Sequence, residues 1–104
     1  MIIYNVTINI EREVHDEWLS WMKEKHIPKV MKTGMFYNYS LLRMLSEESN
    51  NTGITYAVQY RCKDLNYLNK YLAEYAAPLQ QELMDLFRNK HVAFRTMLEI
   101  EDEG

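Results

Sequence analysis

The run WLSWMKEKHIPKVM, Trp18 to Met31, sets two tryptophans three residues apart, then a histidine, then a proline two residues later. An imidazole changes charge near neutral pH, so His26 is suited to move a proton or to orient a ligand hydroxyl. Trp18 and Trp21 recur at helical spacing; such rings pack a core, and as cavity walls they stack on a flat ligand. Tyr4, Tyr56 and Tyr60 fall on strand faces directed at the same layer. A buried phenol needs a partner for its hydroxyl, so these groups either join a polar network with His26, line a cavity, or reach out to the edge. Tyr71 adds a further phenol from a helical stripe. Arg43 shares a strand face with Tyr37 and Tyr39. Turned inward, it holds a carboxylate by two parallel hydrogen bonds; turned outward, it is an edge-strand charge. The plain alternative for His26 is a helix-end residue that caps frayed carbonyls and gains a little from the dipole. His15 and His91 stand at element starts and read as surface residues.

Other chemistry is missing from the sequence. No phosphate loop, paired-carboxylate arrangement or Ser/His/Asp pattern is visible. Cys62 is the only cysteine, so there is neither an internal disulfide nor a thiolate metal cage, and no metal is expected. A lone thiol suits a reducing cytoplasm. The net charge of -3 and the lack of a basic run argue against nucleic acid and against an anionic membrane surface. The start, MIIYNVTINI, is apolar but lacks a basic flank, so it does not read as a signal peptide, and no window is long enough to span a bilayer. Asn-x-Ser/Thr triplets at Asn5, Asn38 and Asn50 carry no weight without a secretory signal. A chain of 104 residues, 47% hydrophobic, builds one domain with a real core, expected over residues 1–104.

The elements that must position these residues follow from periodicity. Residues 2–10 alternate, with Ile2, Tyr4, Val6, Ile8 and Ile10 on one face: a strand. Val14, Trp18, Trp21 and Met22 then recur at helical spacing. Ile27 precedes Pro28 and is biased out of the helical region, so the first helix is expected to stop near Lys25 or His26. If it runs on, His26 lies about 95° from the centre of that apolar arc, at its edge. Pro28 opens a short extra turn that Gly34 terminates. MFYNYSLLRML and ITYAVQYRC are strands joined by the polar turn SEESNNTG. Asp64 caps a second helix whose apolar stripe Pro78 interrupts with a kink or a joint. HVAFRTMLEI closes the chain as a strand with Val92, Phe94, Leu98 and Ile100 expected on the core face, before a frayed EDEG tail. The order is β-α-β-β-α-β: an α+β, ferredoxin-like fold with two helices on one face of a four-stranded antiparallel sheet.

The opposite sheet face is expected to carry Ile3, Asn5, Thr7 and Asn9, then Thr55, Ala57, Gln59 and Arg61, then Ala93, Arg95, Met97 and Glu99. Few full charges stand near its middle. A second copy laid sheet to sheet in a two-fold homodimer hides such a face, with Asn5, Thr7, Gln59, Arg61, Arg95 and Met97 at the interface. An amphipathic face open to water is the alternative.

MIIYNVT at the start, WMKEKHIP in the first helix, TYAVQY in the third strand and VAFRTMLE in the fourth together resemble a family of small bacterial proteins of unassigned function. That family resembles the dimeric α/β-barrel superfamily, which includes antibiotic-biosynthesis-type monooxygenases, muconolactone-isomerase-like enzymes, haem-degrading monooxygenases and stress-responsive barrel proteins. The resemblance implies a homodimer with a pocket between sheet and helices in each subunit and a histidine near the end of the first helix facing it, the place His26 holds. Haem-degrading relatives use an Asn, Trp and His set. Asn5, Trp18 or Trp21, and His26 supply those types in a different order, so no cofactor is expected.

Two functions follow. In one, a pocket lined by Trp18, Trp21, Tyr56 and Tyr71, with Arg43 in reach and His26 at its polar end, takes a small aromatic or polyketide-like acid as its ligand. Cofactor-free oxygenation or isomerase-like proton transfer would be its chemistry. In the other, a dimeric interaction or stress-associated module has a solid core. A cavity of roughly 300 Å³ beside His26 separates them.

Overall fold

The computed structural model describes residues 1–46 and 53–104. The turn expected around residues 46–53, with Glu47, Glu48 and the Asn50 triplet, falls largely outside them. Strand β1 (Ile2–Glu11) is central, flanked by β3 (Gly53–Cys62) and β4 (His91–Glu99), and β2 (Asn38–Arg43) pairs with the far edge of β3. All pairings are antiparallel, in the order β2-β3-β1-β4. Helices α1 (His15–Trp21), α2 (Ile27–Lys32), α3 (Leu65–Glu74) and α4 (Ala76–Leu86) cover one face. This is the ferredoxin-like α+β architecture.

The core follows from period two meeting period 3.6. Ile2, Tyr4, Val6, Ile8 and Ile10 of β1 and Ile54, Tyr56, Val58, Tyr60 and Cys62 of β3 are all buried. Trp18, Met22, Ile27, Val30, Leu68, Tyr71 and Leu83 meet them from the helices. Phe36, between α2 and β2, lies flat against Tyr4, with centroids 6.2 Å apart and planes at 7°.

Helix ends obey local chemistry. Gly34 takes φ 76° just past α2, where the left-handed turn favours glycine. The Asp64 carboxylate accepts from the backbone N–H of Asn66 at 2.9 Å and Tyr67 at 3.3 Å. Asp64→Ala frees both donors, and thermal unfolding should show a loss of about 1 kcal/mol; an unchanged midpoint would mean the cap contributes nothing. Helices α3 and α4 meet at Tyr75, whose φ of -122° breaks the ladder. Pro78 lies in the first turn of α4, where its missing N–H is no loss. The tail after β4 is irregular rather than free: Glu103 reaches the Arg61 guanidinium at 3.0 Å.

Two expectations need correction. The first helix does not stop at His26. Met22–His26 form a π turn that runs directly into α2, and Ile27 keeps helical angles (φ -59°, ψ -45°) although a proline follows. Its N–H donates to the carbonyl of Met22, five residues back. Pro28 has no N–H, and in an α-helix its ring would press on the carbonyl four residues earlier. Widening the preceding turn relieves that conflict without breaking the helix.

The second correction concerns β4. Its register pairs Ile8 with Ala93, Val6 with Arg95 and Tyr4 with Met97, while Thr7 faces Phe94. Opposed residues share a face, so Ala93, Arg95 and Met97 lie on the helix side. Val92, Phe94 and Leu98, which are exposed, lie on the bare side. Placing strand-four residues by their bulk inverts the strand, because a slip of one residue exchanges its faces.

Candidate functional site

The π turn does more than accommodate Pro28. A wide turn carries one extra residue, and such insertions recur at functional positions. It leaves Met22 and Ile27 fully inside, with His26 between them and partly buried. The His26 ring lies under Trp21, with centroids 4.9 Å apart. Its Nδ1 is buried without a hydrogen-bond partner among the described residues. The capping role is therefore excluded by geometry: the helix continues, and no carbonyl engages the ring nitrogen that burial leaves alone.

His26 lines a narrow cleft between sheet and helices, together with Tyr4, Tyr60, Tyr71, Gln80 and Arg95 as its polar members and Val6, Ile8, Met22, Val58 and Leu83 as its apolar wall. Its volume of about 20 Å³ takes one or two water-sized groups. Burial pushes the His26 imidazole down to about 4; the Glu82 carboxylate opposes this, and the Lys29 and Arg95 cations reinforce it. At neutral pH the ring is therefore uncharged. Burial raises the Tyr4, Tyr60 and Tyr71 phenols, so all three remain protonated donors. For Tyr4, the Arg95 guanidinium and the Gln80 amide beside it work against that rise. A neutral imidazole, three phenols and one guanidinium thus converge: a base, neutral donors and a cation, which together suit an oxygen that gains negative charge. Gln80 and Arg95 also border an outer groove of about 330 Å³ at the edge of β4 and α4.

The expected pocket residues separate. His26 and Tyr71 line the cleft. Trp18 is wholly buried behind it, against Tyr56 with centroids 5.0 Å apart, and its Nε1 has no partner among the described residues. Trp21 packs between His26 and Phe87 and forms the backing of the site rather than its lining. Tyr56 turns away: its hydroxyl meets Nε2 of His15 at 2.7 Å. His15 is accordingly a half-buried partner of Tyr56, also paired with Asp16 at 2.9 Å, and no ordinary surface residue. Arg43 opposes Tyr56 across the ladder and so lies on the helix side, yet it is exposed and apart from the cleft. The residues that sequence reasoning left out of the cleft are Arg95, assigned to the wrong face, and Gln80, one turn before Leu83 on α4. Only the β1–β4 register identifies the former. Among the described residues no three His, Cys, Asp or Glu side chains converge as a metal site would require, and no helix is long and apolar enough to cross a membrane.

The bare sheet face holds Asn5, Thr7, Gln59 and Arg61 as expected, joined by Leu42, Val92, Phe94 and Leu98 in place of Arg95 and Met97. Phe94 is 65% exposed. Asn5 donates to the Thr7 hydroxyl at 3.0 Å, but its Oδ1 is buried without a partner among the described residues.

Solved structures of this architecture match the chain over nearly its full length. One is MhuD with two manganese protoporphyrin IX molecules per active site, at 12% identity and TM-score 0.70, covering 100% of this chain and 98% of that one. Another is an antibiotic biosynthesis monooxygenase, at 14% identity and TM-score 0.67, covering 98% and 100%. A third is a dimeric ferredoxin-like protein from an uncultured marine organism, at 12% identity and TM-score 0.64, covering 99% and 97%. At such identities the likeness concerns the fold alone. The residues here do not fit a porphyrin. Asn5 lies on the bare face while Trp18, Trp21 and His26 lie under the helices, and the cleft is far too small for a macrocycle. No curated protein matches the chain in sequence. Residues 1–101 match the model of DUF4286, a domain of unknown function, and the chain belongs to that family.

Proposed function

We propose that two copies of this domain pair through their bare sheet faces and that each keeps a small-molecule site between sheet and helices, with His26 at its polar end. The observation that carries this reading is the buried, uncharged His26 whose Nδ1 lacks a partner in a cleft shared with Tyr4, Tyr60, Tyr71 and Arg95. Leaving a buried acceptor or donor unpaired costs about 1–3 kcal/mol, a penalty that a ligand oxygen seated there removes. The chemistry open to these groups is binding of a hydroxyl: neutral His26 accepts its hydrogen bond, and the phenols and Arg95 hold its oxygen. Pairing is supported by exposed Val92, Phe94 and Leu98 beside the unpartnered Asn5 Oδ1. The lone thiol of Cys62 supports a reducing cytoplasm as the compartment.

The cleft's volume of about 20 Å³ favours a second reading, a non-enzymatic dimeric module with a filled core. The two differ in one measurement. With 1-naphthol as the probe, the native chain is expected to gain thermal stability and His26→Ala to lose that gain. A response that His26→Ala leaves intact removes His26 from the site, and no response at all supports the solid core. Native mass spectrometry of the purified protein should give the mass of two chains; sedimentation as a clean monomer at micromolar concentration ends the pairing.

A further inference from the structure

The inner cleft is too small to hold a whole ligand, yet Gln80 and Arg95 line both it and the outer groove. At about 330 Å³ that groove reaches the size of small-molecule sites, which run from roughly 300 Å³ upward. Its lining is Arg88, Arg95 and His91 with Gln80 and Asn89, over the apolar Met84 and Ala93. Among the described residues two guanidinium groups and no carboxylate line it, on a chain whose net charge is -3. Such local reversal of sign attracts anions. Arg88 meets the Asp85 carboxylate at 3.5 Å, but both side chains are more than half exposed, and a pair of that kind is weak enough to yield to a ligand. The turn between α4 and β4 fixes the groove's end. Asn89 takes φ 62°, and His91 donates its Nδ1–H to the Phe87 carbonyl at 2.8 Å, which leaves Nε2 an acceptor in the neutral ring.

We infer that the ligand of this site is a small organic anion that carries a hydroxyl. Its hydroxyl oxygen enters the cleft at His26, and its carboxylate lies in the outer groove against Arg95 and Arg88. The inference rests on the pocket proposed above and adds the charge and the second compartment. Arg95 stands at the junction and serves both.

Two probes separate the two ideas: 1-naphthol, which tests the pocket, and 5-hydroxy-1-naphthoate, which adds a carboxylate on the other ring, out of reach of the hydroxyl. Calorimetric titration of the native chain should give at least about tenfold tighter binding for the carboxylate, an advantage that shrinks as salt screens it. In the Arg88→Gln, Arg95→Gln double variant that advantage should vanish. Both positions are exposed, so the variant is expected to fold, and circular dichroism checks that it does. Equal affinity for the two probes, or an advantage that survives the double variant, overturns the anion and leaves the pocket standing. A carboxylate advantage lost in the double variant, with 1-naphthol binding unchanged in His26→Ala, upholds the groove and removes the His26 reading. Binding of neither probe overturns both.

Discussion

Trp18→Ala is expected to destabilise the chain by about 3–5 kcal/mol, a large share of what holds a domain of this size together. Trp18 is 0% exposed and packs on Tyr56 beneath the helices, so truncation empties the largest fully buried side chain of the core. A bound ligand has no access to it. The loss should therefore appear in chemical denaturation without any ligand present. Trp18→Phe discriminates the mechanism. It keeps an aromatic ring and removes an indole N–H that is buried without a partner. An unpaired donor of that kind costs about 1–3 kcal/mol, so part of the lost packing is offset. Phenylalanine should thus cost clearly less than alanine. Equal losses would show that ring volume is not what Trp18 contributes, and a loss below about 1 kcal/mol for alanine would place the residue outside the core.

Acid should unfold the native chain more readily than a His26→Gln variant. The His26 imidazole sits near 4 in the folded chain, pushed down by burial and by Lys29 and Arg95 against the pull of Glu82. Glu82 is itself engaged by Lys29, with contacts of 2.9 and 3.0 Å. In the unfolded chain the ring titrates near about 6.5. Between those two values the unfolded state holds more protons, so stability falls as the pH drops through the window. Above about pH 6.5 both states are neutral and His26 adds no pH dependence. Below about pH 4 the loss levels off. At about 1.4 kcal/mol per tenfold change, the gap amounts to roughly 2–3 kcal/mol by about pH 4.5. Glutamine does not titrate, so the native and variant curves, compared by denaturation at about pH 7.5 and about pH 4.5, should diverge by that amount. Parallel curves would mean that the ring is solvated, and the uncharged base proposed for the site would go with it. The carboxylates of the chain are common to both proteins, so the comparison isolates position 26.

Periodicity alone is enough to read the element order. Five even positions of β1 and the β-branched and aromatic run of β3 have two-residue spacing that no helix accommodates. Asp64 as a cap and Gly34 as a terminator are also legible, because each answers a local backbone need. Tyr4, Tyr60 and Tyr71 are recognisable as phenols aimed at one layer, and His26 as a base at its edge.

Three matters are decided only by the folded chain. Residue-pair preferences before a proline end a helix at Ile27, but the neighbouring turn has a second way to absorb Pro28, and the wider π turn carries His26 inward. The strength of apolar alternation orients a strand only when one of its faces is buried. β4 is an edge strand whose larger residues lie on the bare side, so its orientation follows from pairing with β1, and that pairing moves Arg95 into the cleft. The direction of the Tyr56 hydroxyl is the third: its partner is His15, forty-one residues away in sequence, and not the pocket. The amino-acid order dictates what each residue prefers locally. Register and long-range hydrogen bonding, which depend on where other segments come to rest, decide which residues share a site.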